Sequence, residues 1–495
     1  TNMATQEELR AVRVQKMENL KNAGMNTFTA QTFRTHTIND ALNNFDKLSA
    51  DALPVTIAGR IMAKRGQGAI VFLNLKDGTA DMQALLKKDD ISEEKFNLFV
   101  ENIDIADFIE VAGTLFVTNT GQKTVLINDW RILTKAIEQL PDTYHGMTDA
   151  DERYRKRYLD LLLNDEAREM FALKSKFWAY IREFLTKRDF IEVETPTLEV
   201  TTGGAEARPF KTFHNDYDMD VFLRISVGEL WQKRLMAAGF ARTFEIGRVY
   251  RNEGSSPEHL QEFTNLEFYA AYMDYNEGMQ LTEDLIKGIA ANVFGKMEFN
   301  IKGHTVNLHG PNNDGVWPRL DYVHTILQMT GVDVMNASVD EMKAKLKELN
   351  VEWAGENRER LMDTLWKHCR KQISGPAWLI HHPKLVSPLS KACPDNPELT
   401  ERCQLLIAGA EVTNGFSELN DPIDQRARFE LQQQLIERGD DEAMMPEWEF
   451  VEMLEHGMPP TFGFGMGERL FAFLMDKPIR ETQLFPLVKP RSEEK

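Results

Sequence analysis

The residues best placed to do chemistry surround Arg251, in the run Phe244-Glu-Ile-Gly-Arg-Val-Tyr-Arg251-Asn-Glu253-Gly-Ser-Ser-Pro-Glu-His259-Leu-Gln-Glu262-Phe263-Thr-Asn-Leu-Glu267-Phe-Tyr269. Segments rich in Phe, Ile, Val and Tyr predict two strands, and Asn-Glu-Gly-Ser-Ser-Pro predicts the turn between them. Arg251 then stands at a strand end beside a polar loop, where its planar fork of donors can hold an oxyanion with two parallel hydrogen bonds. A second arginine, Arg469, follows Gly463-Phe-Gly465-Met-Gly467-Glu468, a glycine-rich strand end that runs into an apolar helix. Glu267 and Glu418 lie within apolar strands, where an unpaired buried charge would be costly, so they call for a cation.

These groups need a scaffold. The chain has 495 residues and 42% apolar content, enough for two or more cores, and no unbroken apolar run reaches the length of a bilayer span. Its start, Thr1-Asn-Met-Ala-Thr, carries no cationic and apolar leader. Cys369, Cys393 and Cys403 lack metal spacing and leave one unpaired, which points to buried thiols and a reducing cytoplasm. A net charge of −19 argues against broad nucleic-acid binding and excludes DNA as an expected partner. A local basic patch on an acidic chain remains compatible with a shaped RNA site.

Residues 1–50 read as a helical extension, with Leu9, Val12, Met17 and Leu20 among charged positions. From 51 to 140 the pattern changes to short strands: Val55–Met62, Ala69–Leu75, Asp81–Leu86, Phe108–Leu115 and Thr124–Ile127. Gly and Asp turns separate them, and a helical insert falls near Glu93 to Val100. Five strands with one insert predict an OB-fold barrel, which presents a strand face to single-stranded nucleic acid. Phe72 could stack a base there, and Lys64 and Arg65, before a Gly-Gln-Gly turn, could reach phosphates or base edges. Residues 141–160 form a charged hinge and 161–495 a larger domain. Leu173, Phe177, Ile181, Phe184 and Leu185 give one apolar helical stripe, and about 300–392 reads as a mainly helical insertion.

The Phe244–Tyr269 run resembles motif 2 of the class II aminoacyl-tRNA synthetases, and Gly463–Leu474 resembles motif 3. Phe190-Ile-Glu-Val-Glu194-Thr-Pro196-Thr-Leu is similar to motif 1, which in that class builds the dimer interface. Thr202-Gly203-Gly204-Ala-Glu-Ala-Arg208-Pro-Phe210 and Glu411-Val-Thr-Asn414-Gly-Phe416-Ser-Glu418-Leu-Asn-Asp are similar to segments of the lysyl-tRNA synthetases. The resemblance extends from about Val55 to Lys489. It implies an α+β protein: an N-terminal OB-fold β-barrel, then a class II catalytic domain built on an antiparallel β-sheet flanked by helices. It also implies a cytoplasmic, ATP-dependent ligase that activates L-lysine and charges tRNA(Lys), works as a homodimer and has no membrane partner.

The same resemblance implies roles. Arg251 would bridge the lysine carboxylate and the α-phosphate, and Arg469 would hold the far end of the triphosphate. Phe263 would stack on adenine opposite Arg469, with Glu253 towards the adenine amino group and His259 towards the outer phosphates. Glu267, Tyr269 and Glu418 would take the lysine ε-ammonium, and Glu229 and the Gly204 backbone its α-amino group. Asn414 and Phe416 would complete the pocket. Phe72 and Gln83 match positions of anticodon contact, with Lys64 and Arg65 beside them. In the family two acids seven residues apart hold Mg²⁺ at the phosphates; here Glu411 fits, but the other position is Gln404, a weaker ligand for a hard cation. Mg²⁺ is therefore expected through Glu411 and phosphate oxygens. Other departures are Leu260-Gln261 in place of Asn-Pro, Glu468 in place of Asp, and one extra residue in Ser226-Val-Gly before Glu229. A protein-modifying paralog would share the core but lack the barrel at Pro54–Leu133, and a binding or regulatory protein with an altered site has Gln404 as its support.

Overall fold

The computed structural model describes residues 5–141, 147–203, 207–254, 256, 259–439 and 443–490, with the main chain alone at Gln67. The chain divides between Arg153 and Tyr154 into two compact units.

In the first unit β1 (Val55–Gln67), β2 (Ile70–Lys76), β3 (Asp81–Lys87), β4 (Phe108–Val117) and β5 (Lys123–Thr134) close into a barrel in the order β1-β2-β3-β5-β4. Alternation does the sorting: Val71, Leu73 and Leu75 of β2 are buried while Phe72 between them is exposed. The β4 to β5 register shifts at Ala112/Gly113, where a side chain on Gly113 would collide with the Leu126 carbonyl. Glycine is thus required where the two strands pass closest. The helix Glu93–Asn102, capped by Ser92, adds Phe96 and Phe99 to the core.

The N-terminal segment departs from the single helix expected for residues 1–50. Helices span Gln6–Asn22, Ile38–Asn43 and Phe45–Ala50, with non-helical chain between the first two. Leu20, Ile38, Ala41, Phe45 and Leu48 join the barrel core, and Arg13 donates to the carbonyls of Ile105 and Ala136. Burying the Leu, Ile and Phe side chains among these contributes roughly 1.5–3 kcal/mol each, so the segment is part of this unit.

The second unit is built on a mixed sheet. Its strands run Arg319–Asp321, Ala377–Ile380, Arg402–Ile407, Thr413–Ser417, Thr461–Gly467, Glu262–Ala271, Arg242–Tyr250 and Ile191–Glu192, and Ala410–Glu411 pairs beside Arg402–Ile407. The two outermost pairs are parallel and the inner pairs antiparallel. The stretch 300–392, expected as a helical insertion, therefore contributes two sheet strands as well as the helices Tyr322–Thr330, Val339–Glu348 and Arg358–Arg370. Ala377–Ile380 is buried at every position, and so short an apolar run has no period to reveal it.

Alternation also divides the two sides of this sheet. Leu266, Phe268 and Ala270, with Phe462, Phe464 and Met466, pack against Phe177, Ile181, Phe184 and Leu185 of the helix Asp165–Thr186. The intervening residues, Phe263, Asn265, Glu267 and Tyr269 on one strand and Gly463, Gly465 and Gly467 on the next, line a cavity. One apolar side anchors the strands; the other carries the polar groups.

Candidate active site

The cavity has a volume of about 480 Å³. Arg251, Glu253, His259, Phe263, Glu229, Glu267, Tyr269, Gln404, Glu411, Asn414, Phe416, Glu418 and Arg469 all line it, drawn from four strands, the residue after one of them, two helix starts and one loop. Gly204 lies outside the described residues. Strand register sets the layout: Glu267 and Asn414 both pair with Gly465, and Tyr269 and Phe416 both pair with Gly463. A side chain on Gly463 would collide with Glu418 Oε1 and the Tyr269 ring, so the floor stays bare backbone.

At one end Glu229, Glu267 and Glu418 converge, all buried. Glu267 Oε1 accepts from the Val227 N–H at 2.7 Å, and its Oε2 accepts from the Tyr269 hydroxyl at 2.9 Å. Burial, reinforced by the Glu229 charge, pushes the Glu267 carboxyl up to about 8. Glu418 is also pushed well above the ordinary carboxylate range by burial. Between these acids sits a residue that the sequence reading missed: the Lys233 Nζ lies 2.5 Å from Glu418 Oε2 and 3.0 Å from Glu229 Oε1. Burial disfavours its ammonium, but Glu229 and Glu418 outweigh that and raise its pKa. Its signal was the i,i+4 pairing with Glu229 on the helix Glu229–Ala237. Three carboxylates facing one ammonium leave acceptor capacity for a second cation, and Glu418 Oε1 has no hydrogen-bond partner among the described residues.

The Ser226-Val-Gly segment before Glu229 has a structural role. Gly228 caps the helix with φ +67°, in the left-handed region, and its missing side chain avoids Thr195. That turn aims the Val227 N–H at Glu267. Ser226, beside it, donates to the Gly203 carbonyl at 2.8 Å.

Arg251 is held by its main-chain N–H to the Gln261 carbonyl at 2.8 Å, and its guanidinium lies 5.3 Å over the Phe263 ring. Its buried Nε has no partner among the described residues. Arg469 opens the helix Arg469–Leu474 and stacks over Phe473 at 5.1 Å. Phe263 thus carries the Arg251 guanidinium on its ring. On the loop, His259 Nδ1 is 2.8 Å from the Ser256 hydroxyl, and Glu253 is exposed. Glu468 accepts from the Thr264 N–H at 2.7 Å and pairs with Lys174, tying the glycine strand to the helix Asp165–Thr186. Arg402, also missed, lines the cavity and donates from Nε to Asn414 Oδ1 at 2.8 Å.

The metal expectation does not fit the donors present. Glu411 Oε1 accepts from the Trp366 indole N–H at 2.5 Å, and Oε2 is paired with Arg370. Gln404 Oε1 lies 2.8 Å from His382 Nε2, and burial, with Arg402 close by, keeps that imidazole well below its usual pKa and neutral. No group of three His, Cys, Asp or Glu side chains gathers for a metal among the described residues.

The barrel carries the second candidate surface. Arg65 pairs with Phe72, which pairs with Leu85; in the next row Ala63, Asn74, Gln83 and Thr124 adjoin. Arg65 and Phe72 are exposed, and Gln83 donates to the Thr124 hydroxyl at 3.1 Å. Lys64, one residue away, points to the opposite side of β1, because a shift of one position reverses the side-chain direction. Its Nζ donates to the Val100 and Ile103 carbonyls at the end of the helix Glu93–Asn102, and burial lowers its pKa to about 8. Lys64, expected to reach phosphates, is thus a helix cap.

Residues 149–489 match the family described as tRNA synthetases class II (D, K and N), and residues 55–133 match the OB-fold nucleic acid binding domain. The chain belongs to the class II tRNA synthetases of this group. Similar proteins named lysine–tRNA ligase come from Halalkalibacterium halodurans, 43% identical over 97% of each chain, and Carboxydothermus hydrogenoformans, 42% identical over 98% of each. A third, from Thermotoga maritima, is 40% identical over 98% of this chain and 97% of its own.

Proposed function

We propose that the protein is a lysine–tRNA ligase, which activates L-lysine with ATP and transfers it to the 3′ end of tRNA(Lys). The observation that carries the reading is the gathering of three buried carboxyl groups, Glu229, Glu267 and Glu418, around the ammonium of Lys233, at one end of a cavity that also holds Arg251 and Arg469. A lysine ε-ammonium supplies the missing cation, with Glu418, Glu267 and the Tyr269 hydroxyl as its acceptors. A neutral side chain of the same length leaves buried acids without a partner and is rejected for that reason. Glu229 and the backbone at Gly204 take the α-amino group, and Asn414 and Phe416 wall the pocket.

Activation is an in-line attack of the lysine carboxylate on the α-phosphate, with pyrophosphate leaving. Both reactants are anions, so positioning and positive charge are the main requirements. Arg251 binds the carboxylate and the α-phosphate together, and Arg469 binds the outer phosphates. Phe263 stacks on the adenine, Glu253 accepts from its amino group and His259 meets the outer phosphates. A Mg²⁺ ion carried by ATP would supply charge neutralisation at its phosphates. The tRNA 3′ hydroxyl then attacks the acyl carbonyl and AMP leaves.

Phe72, Gln83 and Arg65 form the proposed anticodon face. Ile191, Leu198, Val200 and Phe213, exposed apolar residues at and after the motif 1 segment, suit the surface of a homodimer. The free thiols Cys369, Cys393 and Cys403 suit a cytoplasmic enzyme. No helix among the described residues is long and apolar enough to cross a membrane.

Pyrophosphate exchange into ATP across the twenty amino acids tests the reading. Exchange with lysine alone, followed by charging of tRNA(Lys), is the expected result. Absence of lysine-dependent exchange refutes it.

A further inference from the structure

The helix Arg358–Arg370 presents Trp366 and Arg370, one turn apart, to the two oxygens of a single carboxylate, Glu411. Arg370 is also within electrostatic reach of Arg469, which repels it, and of Asp363, which attracts it. Gln404, which lines the same end of the cavity, is neutral and engaged with His382. The Glu411 carboxylate thus already has a guanidinium as its counter-charge without any metal ion. A divalent cation on Glu411 would have to displace a guanidinium and an indole N–H, and would then lie beside the displaced like charge.

We propose that Arg370 stands where a protein-held divalent cation would otherwise stand, so that the protein itself contributes the counter-charge at Glu411 and the reaction uses only the Mg²⁺ carried by the nucleotide. The inference rests on the reading of this cavity as an ATP site. It makes Arg370 a positioning residue, fixing Glu411 at the phosphate end. Arginine suits the task because its fork satisfies a carboxylate without the exacting octahedral shell that Mg²⁺ demands.

The test counts Mn²⁺ ions bound to the full-length protein by electron paramagnetic resonance, with and without a non-hydrolysable ATP analogue. The wild type is expected to bind no Mn²⁺ tightly alone and one ion per active site with the analogue. In Arg370→Met the freed Glu411 recruits a second ion with the analogue, and half-maximal pyrophosphate exchange shifts to about tenfold higher free Mg²⁺. Arg370→Lys, which keeps the charge, retains a count of one. Two or more ions in the wild-type complex overturn the proposal, a result that does not depend on how the variants fold. An unchanged count and an unchanged Mg²⁺ profile in a folded Arg370→Met overturn it as well. The count is independent of the amino acid used: a protein that binds one Mn²⁺ with the analogue yet shows no lysine-dependent exchange refutes the lysine reading and leaves this inference standing.

Discussion

The cavity side of the catalytic sheet and the outer side of the barrel are both products of strand alternation, but they hold their polar groups differently. Around the cavity Glu267, Glu418 and Lys233 are buried and interlocked, whereas Phe72 and Arg65 on the barrel stand in solvent. A buried network is pre-organised and loses much when one member is removed; a solvated face binds by many replaceable contacts. Substitution effects should therefore fall steeply from the first region to the second.

The largest effect is expected at Arg251. Arg251→Ala should lower lysine-dependent pyrophosphate exchange by roughly 10²–10³-fold, the scale of losing a donor aimed at transition-state charge. Arg251→Lys should recover little, because a point charge replaces two parallel hydrogen bonds. Near-normal exchange in the lysine variant would remove the bidentate role.

Glu418→Gln should weaken lysine binding about 10²-fold while leaving the KM for ATP within about twofold, since it deletes a charge beside Lys233 and the proposed ammonium position. Equilibrium binding of both ligands checks this. An unchanged lysine affinity would place the pocket elsewhere.

Glu267 sharpens the comparison through pH. With its pKa raised to about 8, the carboxyl is protonated in the empty pocket at neutral pH, and a bound ammonium favours the ionised form. Lysine affinity should rise with pH from 6 towards 8, by up to about tenfold per unit, and level off above 8. Stability runs the other way: a carboxyl raised above its unfolded value holds its proton more tightly in the folded state, so its contribution is full below pH of about 4 and is lost between there and 8. Calorimetric titrations and melts of wild type and Glu267→Gln separate the two; a pH-independent lysine affinity would show that Glu267 does not face the ligand.

The barrel effects should be smaller. Phe72→Ala is expected to raise the KM for tRNA about tenfold, as losing one stacked base does, and to leave pyrophosphate exchange unchanged. Lys64→Ala should instead lower barrel stability by about 1 kcal/mol with little change in tRNA charging, because its ammonium caps a helix. Reversed outcomes at Phe72 and Lys64 would mean that the RNA meets the other side of β1.

What the sequence determined by itself was whatever depends on near neighbours. The five barrel strands, the Arg251 loop between two strands, and the split of Glu267 and Tyr269 from Leu266 and Phe268 follow from a period of two and from turn residues. The residues expected at the ATP and lysine site, Gly204 apart, came together in one cavity because their motifs lie on or beside neighbouring strands of that sheet. What only the tertiary structure decided were partnerships between distant elements. Lys233 meets Glu418, Arg370 meets Glu411, Arg251 meets Phe263, and the Leu20 to Leu48 segment folds into the barrel core. Alternation states which way a side chain points along its own strand. Which charge it finds there depends on the packing of helices and sheet, and a buried charge takes the partner that packing delivers.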